Sequence, residues 1–320
     1  VMGLPRDMFR GLRLPVIGSP MFIVSGPELV LAQCRAGIVG TMPSLSIRHA
    51  EELEPALAGI RNALKAEGKD VPFGINLIVH RTNARLDHDL DACVRQEVPV
   101  IITSLGPSRR IVERVHGYGG LVLHDVTNLR HAAKAIGEGV DGLIAVCAGA
   151  GGHSGALNPF AFVSELRQQF DGLIVLGGSI SSGRDIVAAR ALGADLVYMG
   201  TRFIATQEAT APGAQKQMIV ASRTADIVTS SYFTGVSGNY LAPSIAAAGL
   251  DPLQVAGSAG AGMKFSDSGS KAKVWKDIWS AGHGVAAISD VPAVAELVDR
   301  LDAECAEALQ ALNRPRAASG

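Results

Sequence analysis

The sequence predicts an α/β protein, a (β/α)8 TIM barrel with an inserted lid domain after its eighth strand. Three observations lead there. Short apolar, β-branched segments alternate with longer stretches whose apolar residues recur every three to four positions, the rhythm of strands and crossover helices. The short segments are nearly continuous apolar runs, as in a sheet covered by helices. No Gly-x-Gly-x-x-Gly follows the first of them, which an open dinucleotide-binding sheet would carry.

In chain order the expected strands are 14–17, 38–41, 73–79, 98–103, 121–125, 142–147, 173–177 and 196–200. Helical periodicity fills 51–65, 109–115, 129–138, 160–170 and 183–192. From 209 to 276 the rhythm is lost, and 235–269 is rich in Gly, Ser and Ala. The stretch 291–312 then reads as one amphipathic helix, apolar at 294, 297, 298, 301 and 308. Taken as the eighth barrel helix, it makes the barrel 1–208 plus 277–312, the lid 209–276, and 313–320 a flexible tail. A lid at that point sits on the catalytic face.

Composition narrows the partners. The 320 residues carry 29 Lys+Arg against 30 Asp+Glu, without the basic excess of a nucleic-acid binder. Apolar residues make up 48%, yet no run reaches the ~18 needed to span a bilayer. Without a basic stretch leading into an apolar one at the start, no signal peptide is expected, and the location is read as cytoplasmic. Cys34, Cys93, Cys147 and Cys305 form no Cys-x-x-Cys pair, and no His-Glu-x-x-His occurs, so no metal site is expected. The Gly68-Lys69 pair runs into Asp70, so there is no P-loop.

Barrel chemistry sits at the C-terminal strand ends. Those ends hold Gly18–Met21, Asn76 with His80, Ser104, His124 with Asp125, residues 148–153, Gly177-Gly178 and Gly200-Thr201. The two glycine-containing pairs follow strands seven and eight, where barrels commonly bind phosphate through backbone N–H groups; either pair alone could be a tight turn, but both at adjacent strand ends favour phosphate binding. His153 lies in Ala-Gly-Gly-His-Ser-Gly, with few side chains to pack against, which favours proton transfer over a core role. His49, His88, His116 and His131 fall on helices or their edges and are read as solvated.

The pieces Pro20-Met21, Phe73-Gly74-Ile75-Asn76-Leu77, Ala150-Gly151-Gly152-His153, Gly177-Gly178-Ser179-Ile180 and Met199-Gly200-Thr201-Arg202-Phe203 together resemble the nitronate monooxygenase family. Ile278-Trp279-Ser280-Ala281-Gly282 adds to the likeness, and so does His80 four residues after Asn76. The resemblance implies bound FMN: phosphate on the backbone of Gly177, Gly178, Gly200 and Thr201, with the Thr201 hydroxyl as a further donor. Ser19, Pro20, Met21, Asn76, Asp125, Ala150 and Gly151 would complete the cofactor site. His153 would be the catalytic residue, with His80, Trp279 and Ser280 toward the substrate. Many members have Gln at Ser19 and Glu at Gly149, and a basic or neutral residue at Asp125, a carboxylate that would repel anionic flavin if it pointed inward.

The implied reaction is oxidation of an alkyl nitronate with O2 to a carbonyl compound and nitrite. A second reading is an NAD(P)H-dependent FMN reductase acting on quinones or enoyl substrates, with Lys264, Lys271, Lys273 and Lys276 around Trp275 as a hold for a phosphorylated partner. A third is a non-catalytic phosphate-binding barrel. Apolar lid surface would support a homodimer.

Overall fold

The computed structural model describes residues 5–257 and 276–314. Eight parallel strands form the barrel: β1 (Val16–Gly18), β2 (Gly40–Pro43), β3 (Phe73–Ile78), β4 (Val100–Ser104), β5 (Leu121–Val126), β6 (Gly142–Val146), β8 (Leu173–Gly177) and β9 (Leu196–Met199). Neighbours pair in the order β1-β9-β8-β6-β5-β4-β3-β2, and a parallel bridge between Ile17 and Val39 closes the ring. Its hydrogen bonds are Gly18 N–H to Val39 O at 2.8 Å and Val39 N–H to Val16 O at 3.0 Å.

Inside, Ile17, Val39, Val100, Ile102, Leu123, Ile144, Leu173, Val175 and Leu196 fill the ring. Met8, Phe9 and Leu12, from the single-turn helix Pro5–Phe9 and the residues after it, plug its N-terminal end. The barrel is therefore a packed core, and only its C-terminal mouth is left for chemistry.

The helices around it are α1 (Pro27–Arg35), α2 (Leu53–Ala66), α3 (Leu86–Arg95), α4 (Arg109–His116), α5 (Leu129–Gly137), α6 (Pro159–Gln169) and α7 (Gly183–Ala191). Local chemistry starts several of them. Asn128 accepts the His131 N–H at 2.9 Å and Asn158 the Phe160 N–H at 2.9 Å, each satisfying an orphan donor of the first turn. Ser182 and Asp185 form a reciprocal capping box on α7.

After β9 come α8 (Thr201–Ile204), α9 (Gly213–Ala221), β10 (Ile227–Ser230), β11 (Gly238–Leu241), α10 (Ala242–Ala247), α11 (Pro252–Gly257) and, closing the chain, α12 (Val294–Asn313). Helix α12 takes the place of the eighth barrel helix. It packs on α7 through Gly183, where a Cβ would lie 2.4 Å from Leu301 O, and the Gly183 N–H donates to Glu304 at 2.6 Å. On its other side Arg13 reaches Asp299 and Asp302.

The described part of the segment read from sequence as lacking rhythm thus contains two strands and three α-helices. Its antiparallel pair β10–β11 takes a third strand, β7 (Gly152–His153), from the loop after β6. The inserted residues and the His153 loop are parts of one small sheet. Among the described residues no helix is long and apolar enough to cross a membrane. Lys264, Lys271, Lys273 and Trp275 lie outside the described residues.

Candidate active site

Three strand-end loops hold a non-glycine residue in the left-handed backbone region: Ile23 after β1, Leu105 after β4 and Ser179 after β8. For a β-branched residue such as Ile23 that conformation is strained, and strain of this kind gathers at working sites. All three lie around the mouth.

At the ends of β8 and β9 the backbone forms a donor-lined hollow. Gly178 has φ +130°, and a Cβ on it would sit 2.9 Å from Ala148 O, so only glycine makes this turn. Among the described residues nothing accepts a hydrogen bond from the N–H of Gly178, Gly200, Thr201 or Arg202. Four orphan donors at adjacent strand ends suit the oxygens of a phosphate. Ser19 and Met21 lie beside them: a Cβ on Gly200 would be 3.4 Å from Ser19 Cβ and 3.6 Å from Met21 Sδ. Ser25 holds that first loop, its hydroxyl accepting Met21 N–H at 3.0 Å and donating to Ser19 O at 3.3 Å.

The Ala150-Gly151 loop closes on the same hollow. A Cβ on Gly151 would approach Gly282 N at 3.0 Å and Thr201 Oγ1 at 3.1 Å, and one on Gly282 would approach Gly149 O at 2.5 Å. Gly149 O accepts His283 N–H at 2.9 Å and Ser179 N–H at 3.3 Å. Glycines allow two loops far apart in sequence to touch backbone to backbone. The Thr201 hydroxyl, expected as a donor, also accepts the Gly282 N–H at 2.8 Å. Its proton stays available to an anion. Ala150 and Gly151 thereby stand beside Thr201, at the end of the site where the donors are. Ser179, Gly282 and His283 were not singled out as site residues from sequence; the Ala281-Gly282 piece was the signal.

A second polar layer caps the barrel interior. Asn76 Nδ2 donates to Ser104 Oγ at 2.7 Å and to Ile102 O at 3.2 Å; Ser104 Oγ donates to Asp125 Oδ2 at 2.5 Å. The chain links the ends of β3, β4 and β5, and Tyr198 stands near Asp125 and against Gly177. Asp125 points inward, its Oδ1 buried without a partner, and burial pushes its pKa up to about 6. Below about pH 6 the neutral acid prevails and the expected repulsion of anionic flavin falls away; at pH 7 most of the charge remains.

His124, a candidate from its place at a strand end, faces the other way. Leu123 and Asp125 on either side point into the barrel, so His124 points out and lies buried under the helices, bonded to Thr103 Oγ1 at 2.7 Å. Burial lowers its pKa to about 4. It is a neutral core residue. His116 pairs with Asp141 at 2.9 Å.

His153 stands exposed on β7, its backbone paired with Gly238 of β11, its Nε2 3.0 Å from Thr234 Oγ1. The protein around it lowers its pKa by desolvation. The insert steadies the loop from a second point: Asn239, itself bonded by Thr229, donates from Nδ2 to Ala150 O at 2.7 Å. Asn239 was not legible in sequence.

His80 is exposed in the loop after β3 and bonds Thr82 Oγ1 at 2.8 Å; among the described residues no hydrogen bond ties its side chain to the other candidates. The Trp279 indole donates to Lys276 O at 3.0 Å, and its backbone is tied to Ser244 and Leu241. Ser280 pairs with Tyr240 across the insert, with its Oγ buried and unbonded. Pro20 sits half-buried beside Ser19. Among the described residues no group of His, Cys, Asp and Glu is arranged to hold a metal ion.

A filled barrel whose mouth gathers orphan backbone donors, with His153 and His283 on the loops beside them, has the layout of a cofactor-dependent (β/α)8-barrel oxidoreductase. Within that class the chain belongs to the nitronate monooxygenase family, whose sequence profile matches residues 7–304.

It is 30% identical over 226 residues to (3aS,4S,5R,7aS)-5-hydroxy-7a-methyl-1-oxo-octahydro-1H-indene-4-carboxyl-CoA dehydrogenase of Rhodococcus jostii (strain RHA1), a match covering 71% of this chain and 62% of that protein. The chain therefore spans less than two thirds of that relative. A nitronate monooxygenase of Paraburkholderia phytofirmans (strain DSM 17436 / LMG 22146 / PsJN) is 26% identical, with 95% of each chain covered. The crystal structure of a nitroalkane oxidase from Streptomyces ansochromogenes matches with a TM-score of 0.76 at 25% identity, covering 97% of this chain and 100% of that one.

Proposed function

We propose that the protein is a cytoplasmic FMN-dependent oxidoreductase that oxidises alkyl nitronates with O2 to a carbonyl compound and nitrite. The observation that carries this reading is the set of orphan donors at Gly178, Gly200, Thr201 and Arg202, with His153 at the same mouth. The Paraburkholderia relative and the Streptomyces structure support the substrate class.

The donors and the Thr201 hydroxyl would hold the FMN phosphate. Ser19, Pro20, Met21 and the Asn76–Ser104–Asp125 layer would lie along the ring, and the described part of the insert, residues 209–257, would cover it as a lid. Bound FMN supplies the electron transfer to O2 that no side chain offers. His153 takes the α-proton of a neutral nitroalkane, or steadies a nitronate oxygen by hydrogen bonding. Substrate orientation and exclusion of water fall to the mouth loops and the insert.

The second reading is an FMN enzyme using NAD(P)H on quinones or enoyl substrates; the Rhodococcus relative, by name a dehydrogenase of a carboxyl-CoA compound, supports a CoA-linked substrate within it. Purified protein separates the two. A yellow flavin spectrum is expected, bleached anaerobically by a nitronate alone. Bleaching only by NADH or NADPH would select the reductase, and colourless protein with no FMN on denaturation would sink both.

Gly178→Ala tests the cradle. A Cβ 2.9 Å from Ala148 O in a positive-φ backbone costs about 1–3 kcal/mol and moves the donors. FMN affinity, measured by fluorescence on the apoprotein, is expected to fall about tenfold or more. Unchanged affinity would remove this turn from the cofactor site.

A further inference from the structure

A carboxyl group stands in the floor of the mouth with no cation to offset it among the described residues. Side chains alternate along a strand, so the residue two beyond an inward-facing one joins the next layer toward the mouth. Ile102, Leu123 and Leu196 face into the barrel, and Ser104, Asp125 and Tyr198 follow them two residues on. This layer runs up to the phosphate hollow, because Tyr198 lies against Gly177, where a Cβ would be 3.4 Å from the Tyr198 Cβ. The strands around Asp125 present Asn76 from β3, Ser104 from β4, Val146 from β6 and Tyr198 from β9, whose burial keeps its hydroxyl protonated; His124 faces away. No Lys, Arg or His among the described residues pairs with Asp125. Its support is the Ser104 hydroxyl at 2.5 Å, and its Oδ1 lies buried without a partner.

We propose that Asp125 sets the redox balance of the cofactor: its carboxylate makes the protein hold oxidised FMN more tightly than the anionic reduced form. The proposal rests on the reading of the mouth as the FMN site. Oxidised flavin, two electrons and one proton give the reduced anion, so reduction places a negative charge on a ring that was neutral. A charge near that ring is one of the protein's means of tuning it. Two like charges within about 10 Å, at an interior dielectric of about 20, repel enough to move an equilibrium more than tenfold. Preference for the oxidised form lowers the potential, by about 30 mV for each factor of ten in a two-electron couple. Reduced flavin then passes its electrons on more readily, and oxidised flavin takes them up less readily. Below about pH 6 the carboxyl is neutral and the effect fades.

The test is the midpoint potential of bound FMN, read anaerobically against a reference dye in wild type and Asp125→Asn at pH 8 and pH 5. At pH 8 the variant is expected to lie about 30 mV or more above wild type, a tenfold or greater gain in affinity for reduced over oxidised FMN. At pH 5 the gap should shrink, and the part that disappears belongs to the charge, since the asparagine amide is the same at both. Equal potentials at pH 8, or a gap of one size at both pH values, overturn the proposal. Should Asp125→Asn not fold, Ser104→Ala takes its place. Loss of the Ser104 hydrogen bond turns Asp125 toward its neutral form, so the potential should rise above wild type at pH 7 and match it at pH 5. No rise at pH 7 then overturns the proposal. Protein that takes up no FMN defeats the cofactor reading and this inference with it, whereas protein that binds FMN and shows no gap defeats only the role of Asp125.

Discussion

Replacing His153 by asparagine is expected to lower turnover by about 10²- to 10⁴-fold, the usual worth of a positioned acid or base. Flavin should stay bound, because the donors at Gly178, Gly200, Thr201 and Arg202 come from other loops. Asparagine is smaller than histidine and still polar, and the β7–β11 pairing that carries it is backbone only, so the fold should hold. The pH profile gives a second handle. Desolvation lowers the His153 pKa, so its neutral form persists to more acid pH than the ordinary value of about 6.5 allows. If a neutral nitroalkane is the substrate, the acid limb of kcat/KM belongs to His153 and disappears in the variant. Turnover within twofold of wild type would take His153 off the catalytic list.

The second large effect concerns stability, and two adjacent residues oppose each other in it. His124 has its folded-state pKa lowered to about 4 from 6.5. Its contribution is therefore complete above pH 6.5 and is lost as pH falls toward 4, because the unfolded chain takes up a proton that the buried ring refuses. The full loss is roughly 3 kcal/mol. Asp125 has its pKa raised from 3.8 to about 6. Stability from that group is complete below 3.8 and falls by roughly 3 kcal/mol as pH rises through 6.

Between pH 4 and 6 the two slopes nearly cancel. His124→Asn should expose the Asp125 slope, giving a protein less stable at pH 6 than at pH 4. Asp125→Asn should expose the reverse slope; at pH 7 the loss of the buried charge is offset by two amide hydrogens placed where Oδ1 has no partner. Urea midpoints across pH 4–7 for the three proteins measure this. Equal slopes in all three would show that neither group carries the dependence.

Much of the barrel was legible because its signals are local. Apolar β-branched runs placed all eight barrel strands, and Asn128, Asn158 and Ser182 sit where the next helix begins. Helices α1 (Pro27–Arg35) and α3 (Leu86–Arg95) were not among the expected helices; both are short, nine and ten residues. The strand ends found Gly178, Thr201 and Asp125, because a turn that demands glycine, or a polar residue closing an apolar run, stands out within a few positions. The same strands hid which way their side chains face. Where both faces of a strand are buried, Leu121-Val122-Leu123 reads the same in either phase, and His124 could not be told from an inward residue.

The sequence by itself determined the barrel and its family and pointed to the loops proposed to carry its chemistry, since each rests on residues within one turn or strand of one another. Tertiary structure alone decided how the insert takes part. It pairs β11 with the His153 loop, brings Gly282 onto Gly149 and Thr201, places Asn239 on Ala150 O and sets Thr234 against the His153 ring. These partners lie about 80 residues or more apart, and backbone carbonyls and hydroxyl lone pairs leave no periodic mark in a sequence. They become visible only when the fold brings the two segments within hydrogen-bonding distance.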